Sequence, residues 1–236
     1  MSFHSILFLD IETVPQHPDY EQLPAEWKDL WDKKSASLMR HQEEASASDL
    51  YARAGIYAEF GKIICVCMGY ITGKSADKKL ILRTVYGENE KEILQECATL
   101  LEKWGQEEQH QLCAHNGKEF DYPYLARRMI IHQLPLPRLL NNAGKKPWQV
   151  PLLDTLELWK FGDYKSFTSL NLLAHTLGIP TPKDDIDGSQ VGEVYWKEKN
   201  LPRIAAYCEK DVLTVAQVYL RITGESLIPP ENIELR

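Results

Sequence analysis

Four unbroken apolar residues, Ile6 to Leu9, lie near the start of the chain and stop at Asp10. Continuous rather than alternating apolarity predicts a central strand covered on both faces. A long polar region follows, about residues 16–60, introduced by Pro15, Pro18 and Pro24. Helical spacing at Trp27, Leu30 and Trp31, and again at Leu50, Ala54 and Tyr57, predicts an insertion of two helices around a weak middle, SASLMRHQEEASASD. The run from Lys62 to Ile71 and the run from Lys79 to Tyr86 are β-rich and predict a hairpin turning at Gly73 and Lys74. Ile93, Leu94, Cys97, Leu100 and Leu101 predict a helix from Glu88 to Trp104, stopped by Gly105. A short strand from Gln111 to Ala114 should end at His115-Asn116-Gly117, with a helix from Asp121 to His132 after it. Pro135, Pro137, Asn141, Asn142 and Gly144 place a loop before a strand from Val150 to Leu153, which ends at Asp154. Three more helices are expected, from Thr168 to Leu177, Val191 to Lys199 and Pro202 to Leu220, the last opening on a proline where the first turn tolerates one. The tail, about residues 226–236, carries Pro229 and Pro230 and is expected to fray.

This order predicts one α/β domain over residues 1–236, a mixed sheet with helices on both faces. Sites in such sheets collect at the C-terminal ends of strands. The excursion at 16–60 is long for a compact domain and is expected to serve as a lid or a partner surface.

Composition narrows the function classes. The 34 acidic residues against 27 Lys and Arg give a net charge of -7. That excludes a basic protein coating nucleic acid by bulk electrostatics, but not an enzyme gripping a few nucleotides. Five cysteines without a C-x-x-C exclude a disulfide framework and fit a reducing cytoplasm. Cys65 and Cys67, two apart in a strand, should share one buried face. The first apolar run lacks a basic region before it and a cleavage site after it, so it reads as core rather than as a leader. No apolar stretch nears the roughly 20 residues of a membrane helix.

Four acids stand where the site is expected. Asp10 and Glu12, two apart in an extended chain, point the same way. Asp121 opens a helix, where it could equally be a cap. Asp211 lies one helical turn beyond Tyr207, the only Tyr-x-x-x-Asp in the chain. Converging carboxylates raise one another's pKa unless a cation neutralises them. Hard oxygen donors favour Mg²⁺ or Mn²⁺ over zinc. Two such ions about 4 Å apart form a clamp for in-line displacement at phosphorus. The seven histidines are scattered and no H-E-x-x-H occurs, which argues against a zinc hydrolase.

The stretches FLDIET, HNGKEFDYPYLARR and YCEKD resemble, in order, the three exonuclease motifs of the DnaQ-like (DEDD) superfamily. The tyrosine of the third makes the chain look like the DEDDy branch. It is most similar to the stand-alone bacterial group of predicted 3'-5' exonucleases related to the exonuclease domain of PolB. The resemblance implies an RNase H-like fold with a five-stranded mixed sheet flanked by helices. It implies Asp10, Glu12 and Asp211 on a first metal, Asp10 again on a second with Asp121, and Tyr207 holding the attacking water. The implied substrate is a single-stranded 3' end, DNA before RNA, with 5'-mononucleotides as products. The motifs do not separate ribose from deoxyribose, and a non-catalytic scaffold with this fold is the remaining alternative.

Around that set, Thr13 is implied to contact the terminal nucleotide. Asn116 reads as a substrate-side residue or an Asx turn. Lys118, Arg127, Arg128, Lys145 and Lys146 are candidate phosphate contacts or solvated charges. Tyr124 is a candidate for stacking on a base, Phe120 reads as core, His115 as a packed histidine and Asp154 as a cap. Asp184, Asp185 and Asp187 form an acidic segment with no assigned role, and Ser189 reads as a cap.

Overall fold

A six-stranded mixed sheet organises the chain in the computed structural model, which describes residues 2–39, 45–74, 77–163, 165, 167–180 and 185–236. The strands are β1 (Ile6–Pro15), β2 (Gly61–Thr72), β3 (Lys79–Tyr86), β4 (Gln111–Ala114), β5 (Leu152–Asp154) and β6 (Ile233–Leu235), in spatial order β5-β4-β1-β2-β3-β6. The helices are α1 (Ala25–Met39), α2 (Glu90–Trp104), α3 (Asp121–Ile131), α4 (Thr155–Lys160), α5 (Leu170–Thr176), α6 (Val191–Glu193) and α7 (Leu201–Ile222). β1 pairs in parallel with β4 and antiparallel with β2, so it lies inside the sheet, as its continuous apolar run requires.

Alternation along β1 sends Ile6 and Phe8 to one face and Leu7, Leu9 and Ile11 to the other. The first face packs against α7, whose Ile204, Cys208, Val212, Val215 and Tyr219 recur at helical spacing and are buried. Each such side chain contributes roughly 1.5–3 kcal/mol of hydrophobic stabilisation. Gly69 permits the close approach: a Cβ there would lie 2.6 Å from Leu82 and 3.1 Å from Val212. The second face packs against α2 and α3 through Ile93, Leu94, Leu125 and Met129.

Several expectations are corrected. The sheet has six strands, not five, because the tail does not fray: Ile233–Leu235 pairs with Leu80–Leu82 along the β3 edge. β1 does not end at Asp10. It continues to Pro15 because its partner β2 supplies ladder bonds past the acids, with a register shift between Glu12 and Thr13. The second half of the insertion is a 3₁₀ segment, Tyr51–Ile56, rather than an α-helix. The short α4 was not expected. Ser189 does not cap a helix; its hydroxyl donates to Asp187 instead. Residues 40–44 of the insertion, and Lys183 and Asp184 of the acidic segment, lie outside the described residues. The insertion carries its own aromatic cluster around buried Trp31, with Tyr51 and Phe60 at edge-on ring distances of 5.5 and 5.1 Å.

Among the described residues, no helix is long and apolar enough to cross a membrane.

Candidate active site

Asp10 and Glu12 follow Ile6 and Phe8 on the α7 face of β1, beyond the point where β4 ends its pairing at Cys113. Their partners across the sheet are Cys67 and Cys65. The bulge immediately after Glu12 is a feature sheets use to re-aim side chains near sites. α7 crosses above, and its buried Cys208 brings Sγ to 3.3 Å from Asp10 Oδ2. One potential ligand atom each from Asp10, Glu12 and Cys208 lies within 4.8 Å of the others. Tyr207 and Asp211 sit at the edge of the buried stripe of α7, partly open to solvent, and the Tyr207 hydroxyl donates to Asp211.

Asp121 enters from the first turn of α3. It is buried, and its Oδ1 accepts the Ile11 amide at 3.2 Å, which ties the helix start to β1 between the two other acids. The loop before it is shaped by Asp154. That carboxylate caps α4 through the Leu156 amide and also accepts the amides of Asn116 and Lys118 at 2.9 and 3.1 Å. Asn116 adopts φ 61°, a conformation asparagine tolerates. The next residue must be glycine, since a Cβ on Gly117 would lie 2.4 Å from Ala114 Cβ. His115 is satisfied as expected, by Thr155 Oγ1 and the Thr168 carbonyl at 2.9 Å each.

The electrostatics of the cluster are unbalanced. Burial, and then the charges of Glu12, Asp121 and Asp211, hold the Asp10 carboxyl well above the usual range; the Cys208 thiol offsets this only in part. Burial, and next Asp211, raise Glu12 likewise. Burial raises Asp121 to about 7, against the pull of its own amide and that of Ile11. Burial and the neighbouring Asp211 push the Tyr207 hydroxyl up, so it stays protonated at neutral pH. Among the described residues, no Lys, Arg or His forms an ion pair with Asp10, Glu12 or Asp121. A donor set of hard carboxylate oxygens without a protein cation fits divalent ions such as Mg²⁺ or Mn²⁺.

Two expected substrate contacts fall elsewhere. Arg128 is buried and faces the opposite side of α3. It bonds Glu90 at 2.8 and 2.5 Å and the Ala58 carbonyl at 2.8 Å, so it is not a phosphate contact. Tyr124 is buried, donates to the Gly55 carbonyl at 2.7 Å and accepts from Thr13, so its ring offers no stacking face. Thr13 and Asn116 are half-exposed; the Thr13 hydroxyl turns to Tyr124, and Asn116 belongs to the loop that Asp154 shapes. Lys118 is ion-paired with Glu157 at 2.5 Å and lines, with Arg127, a cavity of about 580 Å³ beside α3 and β5. Cys208 was not anticipated; its place one residue after Tyr207, on the sheet-facing stripe of α7, is the signal that could have found it.

Residues 56–226 match the family described as "Predicted 3'-5' exonuclease related to the exonuclease domain of PolB". The chain belongs to this family. Asp121, Tyr207 and Asp211 lie within the matched stretch, and Asp10 and Glu12 precede it. No curated protein matches the chain. Its architecture is similar to the structure of the family B DNA polymerase from the hyperthermophilic archaeon Pyrobaculum calidifontis, with a TM-score of 0.55 and 14% identity. The likeness covers 89% of this chain and 23% of that one, so the chain spans about a quarter of the polymerase. The fold is therefore RNase H-like, of the PolB exonuclease kind, carrying one more strand than expected.

Proposed function

We propose that this chain is a metal-dependent 3'-5' exonuclease that hydrolyses phosphodiester bonds at single-stranded 3' ends, DNA in preference to RNA, and releases 5'-mononucleotides. One observation carries the reading: Asp10, Glu12 and Asp121 converge next to Tyr207 and Asp211, with no cationic side chain among the described residues paired to the three.

Asp10, Glu12, Asp121 and Asp211 would hold two divalent ions. When bound, such ions supply a water nucleophile at neutral pH and neutralise charge developing on the phosphoryl oxygens. Asp10, central on β1, would serve both. Tyr207, kept protonated, donates to Asp211 and presents its oxygen lone pair to the attacking water, fixing its line of approach. Asp121 is held by the Ile11 amide and by its own, which fixes the carboxylate's orientation toward a ligand. Thr13, Asn116 and Lys118 would take the terminal nucleotide and its phosphate, Lys118 by exchanging its pairing with Glu157. The insertion at 16–60, standing on Val14 and Pro15 through Gly55, serves as a wall or lid on the Glu12 side.

The test is release of mononucleotides from a labelled single strand with Mg²⁺ or Mn²⁺, compared with Asp10→Ala and Asp211→Ala. The reading expects release by the wild type and its loss in both variants. Equal rates in all three, or internal cleavage only, would overturn it. Matched DNA and RNA strands decide the sugar preference, and an RNA-only activity would replace the DNA assignment.

A further inference from the structure

A second group of unusual side chains lies where β1 ends, and the mechanism above does not use it. Val14 pairs with Lys62 across the sheet, and the Pro15 carbonyl accepts the Trp196 indole N–H at 3.2 Å. Lys62 Nζ lies 4.7 Å from the Tyr195 ring centre and 4.8 Å from that of Trp196, and it donates to the Tyr195 hydroxyl at 2.8 Å. Lys199 Nζ reaches the same rings, at 5.9 and 4.9 Å.

The backbone is special here as well. Val194–Glu198 forms a π turn, a rare element that concentrates at functional sites, and Lys199 ends it with φ 56°. That turn leads directly into α7, which carries Tyr207 and Asp211.

The charge pattern points to an anion. The neighbouring acids Glu193 and Glu198 are taken by Lys197 and Arg203. None of the ion pairs among the described residues includes Lys62 or Lys199, although the chain as a whole carries -7. Lys62 is half-buried, so part of its hydration is replaced by aromatic faces rather than by a carboxylate. Pro15 stands three residues past Glu12, a reach of about 10 Å along a strand.

We infer that Lys62 and Lys199, set over Tyr195 and Trp196, hold the backbone phosphate next to the scissile one on its 5' side. The inference rests on the exonuclease reading for the identity of the strand, and it explains how an acidic protein grips a polyanion through a few local cations.

The test is binding of a 5'-labelled oligothymidylate, followed by fluorescence anisotropy in Ca²⁺ between about 50 and 200 mM salt. Leaving that one phosphate unneutralised should weaken binding several-fold and flatten the slope of log K against log salt by about 0.7. Lys62→Gln with Lys199→Gln should show both effects. The paired Lys→Arg variant should restore the slope, which a merely structural role would not produce. In turnover, the double Gln variant should lower the ratio of kcat/KM for the oligonucleotide to that for a nitrophenyl ester of thymidine 5'-phosphate. An unchanged slope, an equal loss on both substrates, or displacement of the oligonucleotide by millimolar inorganic phosphate would overturn the clamp. Failure of the exonuclease reading looks different: the wild type would hydrolyse neither substrate, while the binding slopes would still report on the lysines.

Discussion

Two buried carboxylate sites sit on opposite sides of the sheet, and they are balanced in opposite ways. Glu90, at the start of α2, is 6% exposed and meets the Arg128 guanidinium through both oxygens, together with the Ile63 amide at 2.7 Å and His132 at 2.7 Å. Glu12 is 7% exposed and Asp121 3%, yet their neighbours are other carboxylates, amides and a thiol. Carboxylates at the same depth are matched by cationic side chains in one place and, among the described residues, by none in the other. A buried charge without a partner is costly. The contrast therefore marks Glu90 as a brace between β2, α2 and α3, and it agrees with the metal role proposed for the acids beside α7.

The largest expected effects come from removing one acid on each side. Asp10→Asn should lower single-turnover hydrolysis about a thousandfold or more, several kcal/mol of transition-state stabilisation, without lowering the Tm of metal-free protein. Glu90→Gln should do the reverse. Leaving Arg128 buried without its partner costs about 3–5 kcal/mol, a fall of roughly 10 °C in Tm for a chain of this size, and added Mg²⁺ should not restore it. If both substitutions cost stability alike, the contrast fails. Next in size, Tyr207→Phe should lower kcat about a hundredfold, while Mg²⁺ affinity measured by calorimetry stays within about twofold. An equal loss of metal affinity would make Tyr207 a structural residue.

The smallest effect sharpens the contrast through pH. Asp121 titrates at about 7 in the folded chain, against an ordinary 3.8. Between those values the folded state binds more protons than the unfolded state, so stability falls as pH rises through this window and stays low above it. In chelator, the Tm should drop by several degrees from about pH 4 to pH 7. Mg²⁺ should recover it at pH 8, and Asp121→Asn should make the profile shallower, with Asp10 and Glu12 supplying the remainder. A Tm indifferent to pH and metal would show that the acids are already balanced.

Much of this was legible because it depends on local periodicity. The i, i+2 spacing of Asp10 and Glu12 and the i, i+4 spacing of Tyr207 and Asp211 fix shared faces without any tertiary information. The run from Lys79 to Tyr86 became β3 over the same residues. What was not legible depends on partners distant in the chain. Arg128 and Tyr124 look available in the second motif, but the rotation of α3 turns both toward Glu90 and Gly55. Glu90 stands in the first turn of α2, with nothing in the sequence to single it out, and only the fold reveals that it meets β2 and α3. β6 is three residues long after two prolines, and its pairing with β3 comes from an edge the sequence does not display. Acids inside β1 broke the apolar run, so the strand looked shorter than the ladder makes it.

Whether the acids beside α7 hold metal is decided by calorimetric titration of metal-free protein with Mn²⁺ near pH 7, repeated in two buffers of different ionisation enthalpy. The titration should give two divalent ions per chain, protons released as the raised carboxyls give way to metal, and loss of binding in Asp10→Asn. No binding, or binding that survives that substitution without proton release, would contradict the metal role.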